Sequence, residues 1–177
     1  MDEPRARGLS LWLMPEGAVG ERLAAVIDGL AVRLGTSAFA PHVTLLPGLP
    51  GPEAEVLDRT RALAAALPPL PMALFGVGGL DAHFRCLFFG VTSPPIQEAH
   101  SKAACRFGRE PDASFDPHLS LVYGSVGARP KAELKRELSR EVPPPFEARR
   151  LTVWRTEGRV GEWRELASVE LGSGPNV

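Results

Sequence analysis

The sequence predicts an α+β fold built from two similar halves. Two ten-residue segments, "FAPHVTLLPG" from Phe39 and "FDPHLSLVYG" from Phe115, share one frame and lie 76 residues apart. Each segment follows a stretch of helical periodicity and precedes another. The other apolar runs are short and pair as hairpins, which favours antiparallel strands over a continuous parallel sheet.

The first half contains two strands and two helices. "LSLWLM" is short, apolar and followed by Pro15, as is typical of a strand. Apolar residues recur every three or four positions over residues 17–34, which predicts a helix that Gly35 ends. The first repeated segment is expected to be a strand. Pro52 opens a second helix, and the prolines at positions 68, 69 and 71 stop it.

The second half repeats this plan with additional strands. "MALFGVGGL" and "FRCLFFGV" predict two strands, and a third helix begins at the pair Pro94–Pro95. The second repeated segment is again a strand, and Pro130 opens a fourth helix. "FEARRLTVWRT" and "GEWRELASVEL" close the chain as a hairpin. We therefore expect four helices and seven strands in a single domain, residues 1–177, made of two interleaved lobes.

Composition limits the classes of partner. The net charge is −1, from 20 basic and 21 acidic residues, so no broad positive field is available to hold long nucleic acid. A small anionic ligand or an RNA 3′ end needs only local groups. No apolar run approaches the length of a membrane span, and the N-terminus does not resemble a signal peptide. Two cysteines indicate a reducing setting, so we expect a cytoplasmic monomer without disulfides.

The repeated segments place chemistry on one face of two strands. Residues i and i+2 of a strand point to the same side, so His42 stands beside Thr44, and His118 stands beside Ser120. Two imidazoles can act as acid and base in one step, and two hydroxyls can donate to the oxygens of a phosphate. Such a set needs no metal or cofactor, and the sequence offers no cluster of metal ligands.

A purely structural origin explains only part of this repeat. An ancient duplication could preserve the Phe, Pro, Leu and Gly positions because they pack a sheet. It does not explain why both copies keep a histidine and a hydroxyl on the face that does not pack.

The paired H-x-[TS] motifs resemble those of the 2H phosphoesterase superfamily, and the closer resemblance is to its cyclic phosphodiesterase branch. "SLWLMPEG", "PHVTLL", "DPHLSLVYG" and "LTVWRTEGRVGEWRELA" fall in the family's order over nearly the whole chain. The 2′-5′ RNA ligase-like branch fits less well because no Arg follows the second motif. The resemblance implies a bilobal α+β fold of two pseudo-symmetric lobes, each with an antiparallel sheet and outer helices, and a cleft between them.

The resemblance also implies roles for six residues. His42 and His118 match the two catalytic histidines, and Thr44 and Ser120 match the phosphate-binding hydroxyls. Two aromatic residues match substrate-binding positions near the cleft, and these are Trp12 and Tyr123. Strand parity places Tyr123 opposite His118, so it reaches the cleft only if the strand ends or bends at Gly124.

The implied activity is metal-independent hydrolysis of ribose cyclic phosphates. The implied substrates are nucleoside 2′,3′-cyclic phosphates, opened to 2′-phosphates with His42 as the acid, and ADP-ribose 1″,2″-cyclic phosphate. Two alternatives stay open: an enzyme acting on RNA ends or 2′-5′ linkages, and a phosphate-end binding module without turnover.

The histidines and arginines outside the repeat are not expected to take part in the proton transfers. His83 lies in a predicted turn and His100 on a helix flank, and both are interpreted as structural or solvent-exposed. Arg85, Arg106 and Arg109 are placed near the entrance of the second half, where one of them could touch substrate.

Overall fold

The computed structural model describes residues 6–172, which form four helices and eight strands. The strands are β1 (Leu9–Leu13), β2 (Val43–Leu49), β3 (Leu70–Gly78), β4 (Leu87–Thr92), β5 (His118–Val122), β6 (Phe146–Ala148), β7 (Arg150–Arg155) and β8 (Arg164–Glu170). The helices are α1 (Gly17–Leu34), α2 (Glu53–Ala65), α3 (Ile96–Arg106) and α4 (Ala128–Leu138). The predicted α+β class is confirmed, and the terminal residues of the expected single domain lie outside the described range.

All strands join one antiparallel sheet in the order β6-β3-β4-β5-β2-β1-β7-β8. The strands that begin at the two repeated segments, β2 and β5, lie side by side at its centre. They are joined through a single residue pair, Val43 with Leu119. The sheet therefore divides at its middle into two four-stranded halves, which is the pseudo-symmetric arrangement expected from the repeat.

The expected count of seven strands was one too few. "FEARRLTVWRT" forms two strands, because β6 pairs with β3 in one half of the sheet whereas β7 pairs with β1 in the other. Only Arg149 separates β6 from β7, and one residue spans no more than about 3.6 Å. The sheet must therefore curl until its two ends approach each other, giving a half-barrel.

Two helices pack on the half of the sheet opposite to the strand that follows them in the chain. α1 precedes β2 in the chain but packs on β5, and α3 precedes β5 but packs on β2. Helix α4 packs on β3, while α2 packs on β7 and β8. Each half of the sheet is thus covered partly by a helix that lies in the other half of the sequence.

The alternation predicted for the repeated segments is observed. Val43, Leu45, Leu119 and Leu121 are all buried in the apolar core together with the inner faces of the helices. The residues between them in the sequence therefore point to the opposite, open face of the sheet. This register directs both histidines and Thr44 into the space between the halves.

Two further expectations concern the cysteines and the membrane. Cys86 is buried, Cys105 is exposed, and both are free thiols. Among residues 6–172 there is no helix whose length and hydropathy would allow it to cross a bilayer.

The packing of α1 on β5 generates a stability prediction. Leu23 is completely buried on this helix, whereas Val32 is 86% exposed on the same helix. Leu23→Ala should lower the free energy of unfolding by about 2–5 kcal/mol, because it removes buried methyl groups and leaves a cavity. Val32→Ala, the matched control, should change it by less than about 0.5 kcal/mol. Equilibrium unfolding in urea measures both, and equal effects would show that α1 is not held by this packing.

Candidate active site

The two repeated histidines are held in the same way. His42 precedes β2 by one residue, and its Nδ1 lies 2.7 Å from the carbonyl oxygen of Ala40. His118 begins β5, and its Nδ1 lies 2.9 Å from the carbonyl oxygen of Asp116. A carbonyl can only accept, so Nδ1 donates in both rings, and Nε2 carries the lone pair when the ring is neutral.

The prolines in the repeat account for this shared geometry. Pro41 and Pro117 stand between each histidine and the carbonyl that it contacts. The pyrrolidine ring fixes φ and favours an extended residue before it, so the carbonyl two residues upstream is set in a defined direction. The sequence P-H at the start of each central strand therefore fixes both the ring tautomer and the ring orientation.

Both histidines line one cavity of about 330 Å³ on the open face of the sheet. Its polar wall includes Thr44 and Arg85 beside the two imidazoles. Its apolar wall is formed by aromatic side chains from four separate parts of the chain, and these are Trp12, Phe84, Tyr123 and Trp163. The cavity thus combines two imidazoles, several hydroxyls and a guanidinium with a surface suited to a planar ring.

Trp12 reaches the cavity and packs against a histidine. Its ring lies parallel to His42, with centroids 3.5 Å apart and an interplanar angle of 7°. Trp154 stacks behind Trp12 at 4.5 Å, and Phe39 meets the imidazole edge-on at 6.0 Å. Burial among these rings is the main cause that lowers the pKa of His42 to about 3. The hydrogen bond to Ala40 acts in the opposite direction, and the charge of His118 adds to the lowering.

Tyr123 also reaches the cavity because β5 ends one residue before it. The backbone turns at Gly124, whose φ of +136° is readily adopted only by glycine, and its N–H donates to the carbonyl oxygen of His83 at 2.9 Å. The phenol oxygen of Tyr123 lies 3.3 Å from His42 Nε2. Burial raises the pKa of Tyr123, so the phenol keeps its proton and donates it to the imidazole nitrogen.

His118 lies in a more open and more charged setting. Burial is the main cause that lowers its pKa, and the neighbouring guanidinium of Arg85 lowers it further. The hydrogen bond to the Asp116 carbonyl and the negative charge of that residue act in the opposite direction. Arg85 forms an ion pair with the Asp116 carboxylate and stacks 5.0 Å from the Phe88 ring centroid, so the guanidinium is fixed beside the imidazole.

The two hydroxyls predicted to bind phosphate are not placed equally. Thr44 lines the cavity together with both histidines. Ser120 is only 4% exposed, and its Oγ donates to the carbonyl oxygen of Phe84 at 3.3 Å. The wall of the cavity, as far as the described residues form it, takes in Thr44 and leaves out Ser120. The pseudo-symmetry of the sequence therefore does not extend to the exposure of these hydroxyls.

A second cavity of about 260 Å³ adjoins the first. The two share the side chains of Thr44, Pro47, Arg85 and His118. The remaining wall of the second cavity is mostly polar and comes largely from the loop before β5, with His100, Arg109, Glu110, Asp112, Ser114, Phe115 and Asp116. Of the three arginines considered from the sequence, Arg85 and Arg109 line this site, whereas Arg106 lines a separate pocket with Cys105.

Phe84 and Trp163 were missed in the sequence, because neither belongs to a motif. Phe84 lies in a short turn, residues 83–85, and Trp163 follows a second one, residues 160–162. Their position depends on how those turns fold over the sheet, which periodicity does not reveal. No group of three or more His, Cys, Asp or Glu within residues 6–172 is arranged to hold a metal ion.

Comparison with known proteins is consistent with this geometry. The family model of the 2′-5′ RNA ligase superfamily matches residues 31–160, which include both histidine motifs. The chain therefore belongs to the 2′-5′ RNA ligase superfamily, also called the 2H phosphoesterases. A cyclic phosphodiesterase of Arabidopsis thaliana is 25% identical over 134 residues, which cover 71% of this chain and 70% of the plant protein.

Solved structures share the fold. A crystal structure of a protein from Thermus thermophilus superposes with a TM-score of 0.64 at 19% identity, covering 95% of this chain and 99% of that one. LigT of E. coli complexed with 3′-AMP gives a TM-score of 0.61 at 18% identity, covering 96% and 99%. These matches confirm the bilobal fold that the motifs led us to expect.

The buried His42 makes stability depend on pH. Its pKa of about 3 in the folded protein lies below the ordinary value of 6.5, so between these values the unfolded chain binds a proton that the folded protein does not. Stability should therefore fall as pH decreases through this window, with a contribution of up to about 1.4 kcal/mol per pH unit from this one group. His42→Asn, which cannot titrate, should show a shallower dependence. Urea unfolding at a series of pH values measures both slopes, and identical slopes would contradict the assignment.

Proposed function

We propose that this protein is a metal-independent cyclic phosphodiesterase that hydrolyses ribose cyclic phosphates. The observation that carries the proposal is the pair of histidines, each with Nδ1 held by a backbone carbonyl and each lining the same cavity beside Thr44. In-line displacement at phosphorus requires one group to take a proton from the nucleophile and another to protonate the leaving oxygen.

The proposed reaction opens a five-membered cyclic phosphate with water. One imidazole Nε2 takes a proton from the attacking water as the new P–O bond forms. The other imidazole, protonated at Nε2, gives its proton to the ribose oxygen as the old P–O bond breaks, leaving the phosphate on the 2′-oxygen. The Thr44 hydroxyl and the Arg85 guanidinium are the groups available to the non-bridging oxygens.

The dimensions of the cavity favour a small substrate. A volume of about 330 Å³ lies at the lower end of the range of pockets that bind small molecules. The aromatic wall offers a stacking surface to a nucleobase. Nucleoside 2′,3′-cyclic phosphates and ADP-ribose 1″,2″-cyclic phosphate both present a planar base together with a cyclic phosphate, and they are the substrates we propose.

The adjoining cavity favours a second candidate, an enzyme that acts on RNA ends or 2′-5′ linkages. Such a substrate carries a nucleoside on each side of the reacting phosphate. The second cavity shares His118 and Arg85 with the first and contributes Arg109, so it provides a place for that further nucleoside. Turnover of a cyclic nucleotide compared with turnover of a 2′-5′ dinucleotide separates the two candidates.

A turnover assay tests the proposed function. After exhaustive dialysis against EDTA, the protein should convert 2′,3′-cyclic AMP to 2′-AMP faster than it cleaves a 2′-5′ diadenylate. His42→Ala and His118→Ala should each reduce kcat/KM by about 10²–10⁴-fold, since each removes an acid or a base. Preference for the dinucleotide would favour the second candidate. Binding without turnover would indicate a phosphate-end binding module, and activity restored only by Zn²⁺, Mn²⁺ or Mg²⁺ would overturn metal independence.

The two histidines differ in how readily they carry a proton. The protein groups alone keep His42 neutral at pH 7, which is the state of a base. The acid role expected for His42 therefore requires the negative charge of the bound phosphate to raise its pKa. The pKa of His118 is lowered too, by burial and by Arg85, but His118 is less buried than His42 and has the Asp116 charge beside it, so it is the rival acid.

A substrate with a sulfur leaving atom identifies the acid. A thiolate leaves without protonation, so loss of the acid becomes nearly harmless while loss of the base does not. With a 2′,3′-cyclic phosphate that carries sulfur at the 3′ position, we expect His42→Ala to regain most of the wild-type rate and His118→Ala to stay impaired. The reverse pattern would make His118 the acid, and failure to rescue either variant would exclude a separate acid and base.

A further inference from the structure

Strand β2 stays paired with β1 along one edge, but on its other edge it loses β5 within the first histidine motif. It pairs with β5 at Val43 alone, and the two strands then separate to form the cleft. Farther along β2, the register with β1 shifts between Thr44 and Leu46, and the carbonyl oxygens of Leu45 and Pro47 both face α3 and the loop that follows it. Pro47 has no N–H to contribute to a ladder, as is usual for a strand with an open edge.

Side chains from α3 and the following loop occupy this open edge. His100 Nδ1 lies 2.9 Å from the carbonyl oxygen of Leu45, and Arg109 Nη1 donates to the carbonyl oxygen of Pro47 at 2.6 Å. These two donors take the place of the backbone N–H groups that a neighbouring strand would provide.

His100 also holds the loop that leads to the second histidine motif. The backbone N–H of Asp112 donates to His100 Nε2 at 3.2 Å. Phe115, the first residue of the second repeated segment, stacks on the imidazole with centroids 3.9 Å apart and an angle of 4° between the planes. Phe115 lies close before His118 in the chain, and the intervening Asp116 carbonyl accepts the His118 Nδ1–H.

Both nitrogens of His100 are therefore committed to backbone groups. The Leu45 carbonyl can only accept, so Nδ1 carries the proton; the Asp112 N–H can only donate, so Nε2 carries the lone pair. The side chain is 4% exposed. Both hydrogen bonds of His100 go to backbone groups, and they join the strand that carries Thr44 to the loop that ends at His118.

We propose that His100 is a positioning residue that sets the relative placement of the two histidine motifs. It ties the backbone one residue after Thr44 to the loop that orients His118, at the point where the sheet no longer joins the two halves. A displacement of about 1 Å between reacting groups can cost on the order of 10²-fold in rate, so this connection matters for turnover although both ring nitrogens of His100 bond to the backbone. The part of the proposal that concerns turnover rests on the proposed function.

Two substitutions separate the hydrogen bonds of His100 from its packing. His100→Phe keeps a flat ring against Phe115 but removes both hydrogen bonds. His100→Gln keeps an N–H donor and a C=O acceptor on one side chain. Ser101→Ala on the same helix is the matched control, because Ser101 Oγ donates to the carbonyl oxygen of Gln97 within α3 itself.

The first measurement is turnover of 2′,3′-cyclic AMP. We expect His100→Phe to reduce kcat by about 10–10²-fold with KM changed less than about threefold, since positioning acts on the reacting geometry rather than on binding. His100→Gln should retain kcat within about fivefold, and Ser101→Ala should match the wild type. A wild-type kcat in a folded His100→Phe protein would overturn the proposal.

The second measurement needs neither substrate nor activity. In ¹⁵N-histidine NMR spectra, the ring nitrogens of His118 should report a single Nδ1–H tautomer in the wild type and in His100→Gln. In His100→Phe they should shift towards a mixture of tautomers, because the loop that presents the Asp116 carbonyl is released. An unchanged His118 spectrum in His100→Phe would contradict the proposal even if the protein proved not to be a phosphodiesterase. If His100→Phe does not fold, His100→Gln is measured in its place. An altered His118 tautomer in that variant would contradict the proposal.

Discussion

The structure depends on the single residue pair that joins the two central strands. Val43 and Leu119 keep β2 and β5 in one sheet, and the strands separate directly beyond them. If the pairing were longer, backbone hydrogen bonds would close the space in which the imidazoles meet. If it were absent, the two halves would be held together only by the helices that pack across them and by the short connection between β6 and β7. One pair brings His42 and His118, each next to a paired residue, to the same place and leaves room for a ligand between them.

The separation of the strands leaves backbone carbonyls without strand partners, and side chains compensate for this. On β2 the donors are His100 and Arg109, so a polar edge that would otherwise favour pairing with another strand is satisfied within the chain. In the second half, the turn after β5 is held by the Gly124 N–H. Different hydrogen bonds therefore hold the two walls of the cleft. The walls are unlike each other although β2 and β5 carry the same repeated sequence frame.

Most of the fold could be predicted from the sequence, because helix periodicity and the repeated frame are local signals. The four helices and the placement of both repeats on strands followed from them. The exception was the division of "FEARRLTVWRT" into β6 and β7, which depends on pairing with β3 and β1 at opposite ends of the sheet. Local sequence does not record which distant strand a segment will join. The same limit applies to Phe84 and Trp163, which reach the cavity through turns, and to Ser120, whose hydroxyl contacts the backbone of such a turn.

The exchange of helices between the halves has a consequence for the order in which the chain can fold. β1, at the start of the described chain, pairs with β2 and also with β7, more than a hundred residues later. Helix α1 can pack on β5 only after β5 has been synthesised. Helix α4 and β6 then follow before the chain reaches β7. Contacts between residues so far apart in the sequence require large loops to close. The entropy is lost before the contact energy is gained, and this slows folding. During synthesis the first half emerges before the strands against which it packs, so assembly of the cleft waits for nearly the whole chain.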